Sequence, residues 1–530
     1  MAKRGFLVFI VILLLAIGML PVLSMLIKSV ILGGHFSLAS YAGLMTSARQ
    51  WTLMGNSMAL ASLVTTFTVA VGVPLGILLG KTDLPYRRFF TVLFVIPLLI
   101  PPYIIAVSWF DLLGIEGLLV QLSGISATAT TSLLFGLPGC VAVLFSIFLP
   151  IPMLLTMILL RTVNPRLEEA GRLVAGWCEV MKGVTIPIIL PGVLLSAVLV
   201  FLLSFGEFSV PNFLRYDVFP VESFTQFSAF YDFKAATAAV VPLVAVMLIL
   251  LLAEAAFLRE KTYQLRPSPE IGGLLLIGLG VHRKWLFASV AIAGFIIVVV
   301  PIVVLVIQSA GIDAYVEALN RAGDSLLRSL IYALIGATLL TFLGFFTGYL
   351  IQTKALRLWR SVDSLTILLL ALPSTVIGIG LISLWNTSWT NFIYSTPVII
   401  ILGYLAKYTA LTSRISVAQF GRIPSSMEEA AQVSGAGWFR RMAFIAAPLA
   451  RRGLLTCWLV GYIFSLRDTG ITMLVYPAGQ ETLPVRIFTL MANGSPQLIA
   501  ALCMIMIAAT LLPAGILWMM PGIMKRKAIR

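Results

Sequence analysis

Charge is what this sequence has least of: only 11% of its 530 residues are Asp, Glu, Lys or Arg, against roughly 25% in soluble domains. With 60% of residues hydrophobic, an ordinary water-soluble chain is excluded. Histidine and cysteine are nearly as scarce. His35 and His282 stand alone, and Cys140, Cys178, Cys457 and Cys503 lie far apart without a C-x-x-C pair. They suggest neither a disulfide framework nor a tightly bound metal. Catalytic signatures are missing as well. There is no HExxH, no GxSxG and no histidine pair beside carboxylates, so the chain does not read as an enzyme.

What is abundant is long apolar sequence. Gly5 to Ile27 carries no charge, nor does Trp285 to Gly311. Crossing a hydrocarbon core takes about 20 apolar residues as helix, whereas the strands of a membrane barrel would show short alternating segments. The pattern predicts an all-α polytopic membrane protein of about 12 spans. They fall near 6–27, 56–80, 89–109, 132–160, 187–206, 236–258, 285–311, 329–352, 364–385, 394–413, 453–466 and 497–520. The eleventh is expected to extend beyond those limits. The first run exceeds a signal h-region and no A-x-A-like site follows it, so it reads as a retained helix. The net charge of +15 is an orientation signal and not a nucleic-acid footprint. With the N-terminus inside, roughly 28 of the 36 basic residues fall on the cytoplasmic side, which predicts that both termini are cytoplasmic.

The chain also repeats itself. Gly72 and Gly76 align with Gly344 and Gly348 at a spacing of 272 residues, and Pro97 is matched to Pro373. Further on, Gly176-Trp177 and Pro187 match Gly437-Trp438 and Pro448 at a spacing of 261, which also carries Ser204 onto Ser465 and Glu207 onto Asp468. The pattern gives two parallel six-helix repeats, 1–258 and 285–530, joined by a charged, proline-containing linker over 259–284 that includes a short apolar run, Ile271 to Gly280. The four glycines put small residues on one helix face and predict close helix packing. Gly76 to Thr82 imitates a P-loop, but it has three intervening residues where the motif needs four, and no strand precedes it.

Each repeat carries one charged segment before its fifth span, near 164–187 and 422–448. The first holds Pro165, Glu168, Glu169, Ala170 and Gly171, then Gly176-Trp177 and Pro187. The second holds Pro424, Glu428, Glu429, Ala430, Ala431 and Gly435, then Pro448. Each reads as a short surface helix, a glycine break, a second short helix and a proline-marked return to the membrane, with carboxylates suited to a helix start. A solvated amphipathic loop is the plain alternative; two copies at corresponding places favour a partner.

These segments resemble the EAA loops of binding-protein-dependent ABC importer permeases, whose pattern is roughly E-A-A-x3-G followed by I-x-L-P. Glu429, Ala430, Ala431 and Gly435 match directly. In the first copy Gly171 replaces the second alanine, and Ala175 and Gly176 compete for the glycine because one residue is missing. The resemblance covers about residues 50–520. It implies the type I importer permease fold, with the loops as coupling helices (Glu168, Glu169, Ala170, Gly171 and Gly176; Glu428, Glu429, Ala430, Ala431 and Gly435). It also implies two copies of a cytoplasmic ABC ATPase that holds ATP and Mg, a periplasmic or lipid-anchored substrate-binding protein, and a place in the bacterial inner membrane. No cofactor is then bound by this chain.

A narrower resemblance lies at Leu466 to Thr469 and Tyr476 to Ile487, which is similar to the fused permeases of the ferric-iron uptake group. It implies ferric iron as cargo; thiamine, a phosphonate or a phosphorylated sugar are the alternatives. Glu207 and Asp468, near the outer ends of the fifth and eleventh spans, are candidates for the substrate path, with Arg467 beside Asp468 as a neutralising partner or an anion contact. A structural ion pair or loop anchor is the other reading of all three. Arg215 and Arg486 are placed in outer loops, facing a binding protein or solvent. An ion-coupled secondary transporter, the rival class, would want deep carboxylates, and only Glu254 adds one well inside a predicted span.

Overall fold

The computed structural model describes residues 2–32, 35–36, 47–115, 117–123, 126–230, 233–257 and 275–519. Most of the predicted linker, 259–274, lies outside the described residues. Among the described residues the chain is built from helices. The exceptions are a two-residue ladder pairing Ile31–Leu32 with His35–Phe36 and a lone parallel bridge between Thr82 and Ile277. Eleven helices there are long and apolar enough to cross a membrane, or up to 12 if a bent pair counts as one span. The chain is an all-α, multi-pass membrane protein. Helices satisfy their own backbone groups, which hydrocarbon cannot do for them, and many of these spans turn Leu, Ile, Val and Phe outward.

Two helices dominate. The first long helix, Ala48–Lys81, has 34 residues and the second, Ile312–Thr353, has 42, about 50 and 60 Å at the α-helical rise. Both exceed the roughly 30 Å of hydrocarbon, so their ends reach beyond it. Glycines let neighbours approach them. A Cβ at Gly76 would lie 2.6 Å from the Met153 carbonyl oxygen, and one at Gly348 would lie 2.9 Å from that of Ser413. Gly72 and Gly344 line the same contacts, against Pro150–Leu159 and Val398–Phe420 respectively. The P-loop imitation is ordinary helix up to Lys81.

Two predicted spans are broken. The third consists of Arg87–Leu99 and Pro102–Leu113; the ninth consists of Trp359–Ala371 and Ser374–Trp385, bent by 106°. The cause is the same in both. Pro101 and Pro373 sit in extended backbone (φ −55° with ψ 135° and 146°), and the preceding Ile100 and Leu372 are driven extended too. The repeat partner of Pro373 is therefore Pro101, at the constant spacing of 272, and not Pro97, which lies inside a helix. The eleventh span does extend, over Trp438–Leu466.

Single π-helical turns also recur: Leu15–Met19 with Phe295–Val299, and Met181–Thr185 with Met442–Ala446. Such turns insert one extra residue and rotate the helical face beyond them.

The chain divides into two compact units that are not the two sequence repeats. One comprises Met1–Leu44, Glu222–Val241 and Gly311–Arg530; the other comprises Met45–Val221 and Pro242–Ala310. Within the first, the leading helix of the chain packs on second-repeat helices: Gly380 backs onto Pro21, and Leu369 fills the space at Gly18. Within the second, Arg283–Gly294 packs on Arg87–Leu99, where Leu93 closes over Gly294. Leu75, Leu79, Phe90, Phe94, Met153, Val290 and Val298 form one apolar cluster there.

Candidate functional site

The two charged segments fold as expected in outline and differ in detail. In the first, the Asn164 side chain accepts the Arg166 N–H at 3.0 Å and starts the helix Pro165–Val174, the first loop helix. Glu168 turns inward and is 1% exposed. It receives the ammonium of Lys81, itself fully buried at the end of the first long helix, and the Thr185 hydroxyl at 2.6 Å. Glu169 and Ala170 face outward, as do Leu167, Leu173 (87% exposed) and Val174 (88%).

The second loop helix, Ser425–Val433, follows Pro424 and repeats this orientation 260 residues on. Glu428 turns inward and accepts the Tyr349 hydroxyl at 2.8 Å, with the Arg441 guanidinium 4.0 Å away. Glu429, Ala430, Met427 and Val433 (89% exposed) face outward. Of each Glu-Glu pair, then, the first member turns toward the protein, buried as Glu168 and half-buried as Glu428, and the second is on the surface.

The glycines settle differently in the two copies. Gly435 takes φ +82°; its N–H donates to the Gln432 carbonyl and that of Ala436 to the Ala431 carbonyl, both at 3.0 Å. This is a left-handed helix stop that glycine favours. One residue shorter, the first copy has no such stop: Ala175 is extended, and Gly176 has φ −73°. Gly176 instead opens the short helix Trp177–Val180, its N–H donating to Glu179 at 3.2 Å. That is the place of Gly437 ahead of Trp438–Arg441, so Gly176 is not the counterpart of Gly435. Gly171 lies where a Cβ would be 3.0 Å from Val180, which brings the two short helices together.

Around the second loop helix sits an aromatic group that sequence reasoning did not find. Trp438 is buried, and its indole N–H donates to the Tyr349 hydroxyl at 3.4 Å. Phe6, from the start of the chain, lies 4.8 Å from Phe346, 5.7 Å from Trp438 and 5.4 Å from Phe439, ring centre to ring centre. The Lys3 ammonium stands 5.1 Å from the Tyr349 ring. In the other unit, the Ile277 N–H donates to the Lys81 carbonyl at 2.8 Å and the Leu279 N–H to Asp83 at 2.9 Å.

Away from the loop helices, each long helix holds a returning loop by the same device. The Ser57 hydroxyl oxygen accepts the Phe219 N–H at 3.0 Å, and that of Ser329 accepts the Leu483 N–H at 2.6 Å. The preceding residues reach the same loops: Asn56 donates to the Asp217 carbonyl at 2.9 Å and Arg328 to the Glu481 carbonyl at 3.2 Å. Arg486 pairs with Glu481 at 3.3 Å, and Arg215 lies over Phe135 at 5.6 Å.

The candidate path carboxylates are engaged locally. Glu207 accepts the Ser209 N–H at 2.9 Å and the Ser209 hydroxyl at 2.5 Å. Asp468, only 4% exposed, accepts the N–H groups of Ile471 and Thr472 at 3.1 and 3.0 Å, the Thr472 hydroxyl at 3.0 Å and the Tyr408 hydroxyl at 2.6 Å. Both hold the short helix that follows, a structural use at equivalent positions. Arg467 lies 4.7 Å over the Phe464 ring. Two further buried or span-borne carboxylates fall just outside the bounds expected from sequence for the third and ninth spans. Asp111 falls within Pro102–Gln121, and Asp363, nearly fully buried in the ninth, pairs with Arg414 at 2.8 Å.

No family model matches the chain. It is 23% identical over 492 residues to a putative ferric transport system permease protein of Haemophilus influenzae, across 88% of this chain and 77% of that one. A ferric transport system permease protein of Actinobacillus pleuropneumoniae is 22% identical over 463 residues, 81% of this chain and 65% of its own length. A putative 2-aminoethylphosphonate transport system permease protein of Salmonella typhimurium is 25% identical over 202 residues, 38% of this chain and 76% of that protein. Over most of its length, the chain resembles ferric transport system permeases.

Proposed function

We propose that this chain is the permease subunit of a binding-protein-dependent ABC importer, working in a bacterial inner membrane with both termini in the cytoplasm. One observation carries the reading: the same surface helix occurs in both repeats, with an exposed Glu-Ala pair flanked by exposed Leu167 and Leu173 or Met427 and Val433. Apolar side chains of this size gain about 1.5–3 kcal/mol each when fully covered. Placed on charged loops outside the hydrocarbon, they suit a protein partner better than lipid. Two such helices fit two copies of a cytoplasmic ATPase, which would hold the ATP and Mg. Hydrolysis then belongs to that partner and transport to this chain.

The names of the long relatives favour ferric iron as cargo, delivered by a periplasmic or lipid-anchored binding protein. Glu207 and Asp468 serve in this reading to shape the outer ends of the fifth and eleventh spans. ATP-driven approach of the two loop helices would alternate access across the membrane, with Glu169, Ala170, Glu429 and Ala430 at the contact.

The test is purification of the tagged protein in mild detergent. Co-purifying chains are identified, and ATP hydrolysis is assayed with binding proteins loaded with ferric iron, thiamine, a phosphonate or a phosphorylated sugar. A co-purifying ATPase stimulated by the ferric form supports the whole reading; stimulation by another loaded form changes the cargo alone. Uptake driven by an ion gradient with no ATPase attached would overturn it in favour of a secondary transporter, in which Asp111 and Asp363 would be the first residues to substitute.

A further inference from the structure

We infer that Lys81, Glu168 and Thr185, with Tyr349, Glu428 and Arg441 in the second repeat, are positioning residues that lock each loop helix to a long helix. Each long helix then acts as a single rod between the ATPase contact and the outer loop. This rests on the proposed function and adds to it the route by which motion crosses the membrane.

Burial singles out the first cluster. The loop helix is mostly exposed, at Arg166, Leu167, Glu169, Ala170 and Arg172 to Val174, yet Glu168 and Lys81 are shut away from water. A buried charge is costly unless paired, so separating these two would leave each uncompensated. One carboxylate thereby ties together the end of the first long helix, the loop helix and the π-helical turn Met181–Thr185 that begins the next span.

The second repeat reaches the same arrangement with other chemistry. At the 272-residue spacing Tyr349 aligns with Ile77, one helical turn before Lys81 and on the same face. The bulkier ring and the longer ammonium side chain meet equivalent glutamates from adjacent turns. Arg441, just ahead of the π-helical turn Met442–Ala446, takes the place held by Thr185 in reaching the glutamate.

Further along these two helices, nine residues in from Ala48 and 17 in from Ile312, Ser57 and Ser329, with Asn56 and Arg328 beside them, bond to the outer loops. From Ser57 to Lys81 and from Ser329 to Tyr349 the helical rise gives about 36 and 30 Å, roughly one hydrocarbon thickness. Both helices stay continuous between their two attachments, the first one through Pro74, which removes a single backbone hydrogen bond there. A continuous helix held at two points carries displacement from one to the other.

The experiment uses the whole complex in lipid vesicles, with its ATPase and binding protein, and reads cargo taken up per ATP hydrolysed. The paired change Lys81→Met with Glu168→Gln removes both charges together; it should lower that ratio about tenfold while the ATPase still co-purifies. Tyr349→Phe and Thr185→Val, which each delete one hydroxyl, should lower it about threefold, and they decide the matter if the paired variant fails to assemble. A structural role alone would reduce the yield of complex but leave the ratio untouched. Ratios within about twofold of the native value in assembled variants overturn the inference. Failure of the native chain to bring down any ATPase would instead remove the proposed function, a separately visible result.

Discussion

Ser57 and Ser329 stand 272 residues apart and do the same thing: each offers a buried hydroxyl oxygen to the first backbone N–H of an outer helix, at Phe219 and at Leu483. Replacing either by alanine strands that N–H away from water. The expected loss is about 1–3 kcal/mol, seen as a lower unfolding midpoint in detergent. Equal midpoints for Ser57→Ala, Ser329→Ala and the native chain would show that the loops find other partners.

Lys81→Met alone leaves the Glu168 carboxylate buried with only Thr185. It should destabilise the protein by about 3–5 kcal/mol. Adding Glu168→Gln should recover most of that, because no unpaired charge then remains. A double-mutant cycle on thermal unfolding measures the coupling, and strict additivity would mean the pair is not energetically linked.

Gly435 and Gly176 separate conformation from space. A Cβ meets nothing within 4 Å at either site, but only Gly435 has a positive φ. Gly435→Ala should weaken the end of the second loop helix by about 1–2 kcal/mol, while Gly176→Ala stays within about 0.5 kcal/mol. Amide exchange across 425–436 and 165–176 gives the comparison, and equal effects would remove the left-handed stop as its cause.

Gly76→Ala forces a methyl group against the Met153 carbonyl at 2.6 Å, whereas Gly183→Ala points into open space. The first should cost about 1–3 kcal/mol through strain and the second almost nothing. Unfolding in detergent decides, and a neutral Gly76→Ala would show that the neighbouring helix can withdraw.

Leu173→Glu and Val433→Glu place charge on the exposed apolar faces without touching the interior. They should abolish ATPase co-purification while membrane levels stay normal. Retained ATPase in both variants would move the contact elsewhere.

What could be read in the sequence was local or periodic. Apolar runs gave the spans, the small-residue spacing at Gly72, Gly76, Gly344 and Gly348 marked the close helix faces, and the twin Glu-Glu-Ala segments marked the loop helices. What escaped depends on distant partners. Glu168 and Glu169 are adjacent in sequence, and nothing local says which turns inward until Lys81 is brought beside it. Pro97 and Pro101 are both plausible helix breakers, and only Pro101 takes extended backbone. Glu207 and Asp468 stand out in sequence because ionisable groups near membrane depth are rare; their local bonds, to Ser209 and to Ile471 and Thr472, could not be read there.

The leading helix, Ala2–Val30, settles on partners such as Leu369 and Ser383 that are encoded some 350 residues later. At ribosomal speeds of about 5–20 residues per second, those partners emerge about 20–70 s after the helix does. During that interval it must wait in the bilayer without these partners, held there by its own apolarity. Assembly therefore has a late step in which this helix is captured by partners made some 350 residues after it, and a chain interrupted midway leaves it without its berth.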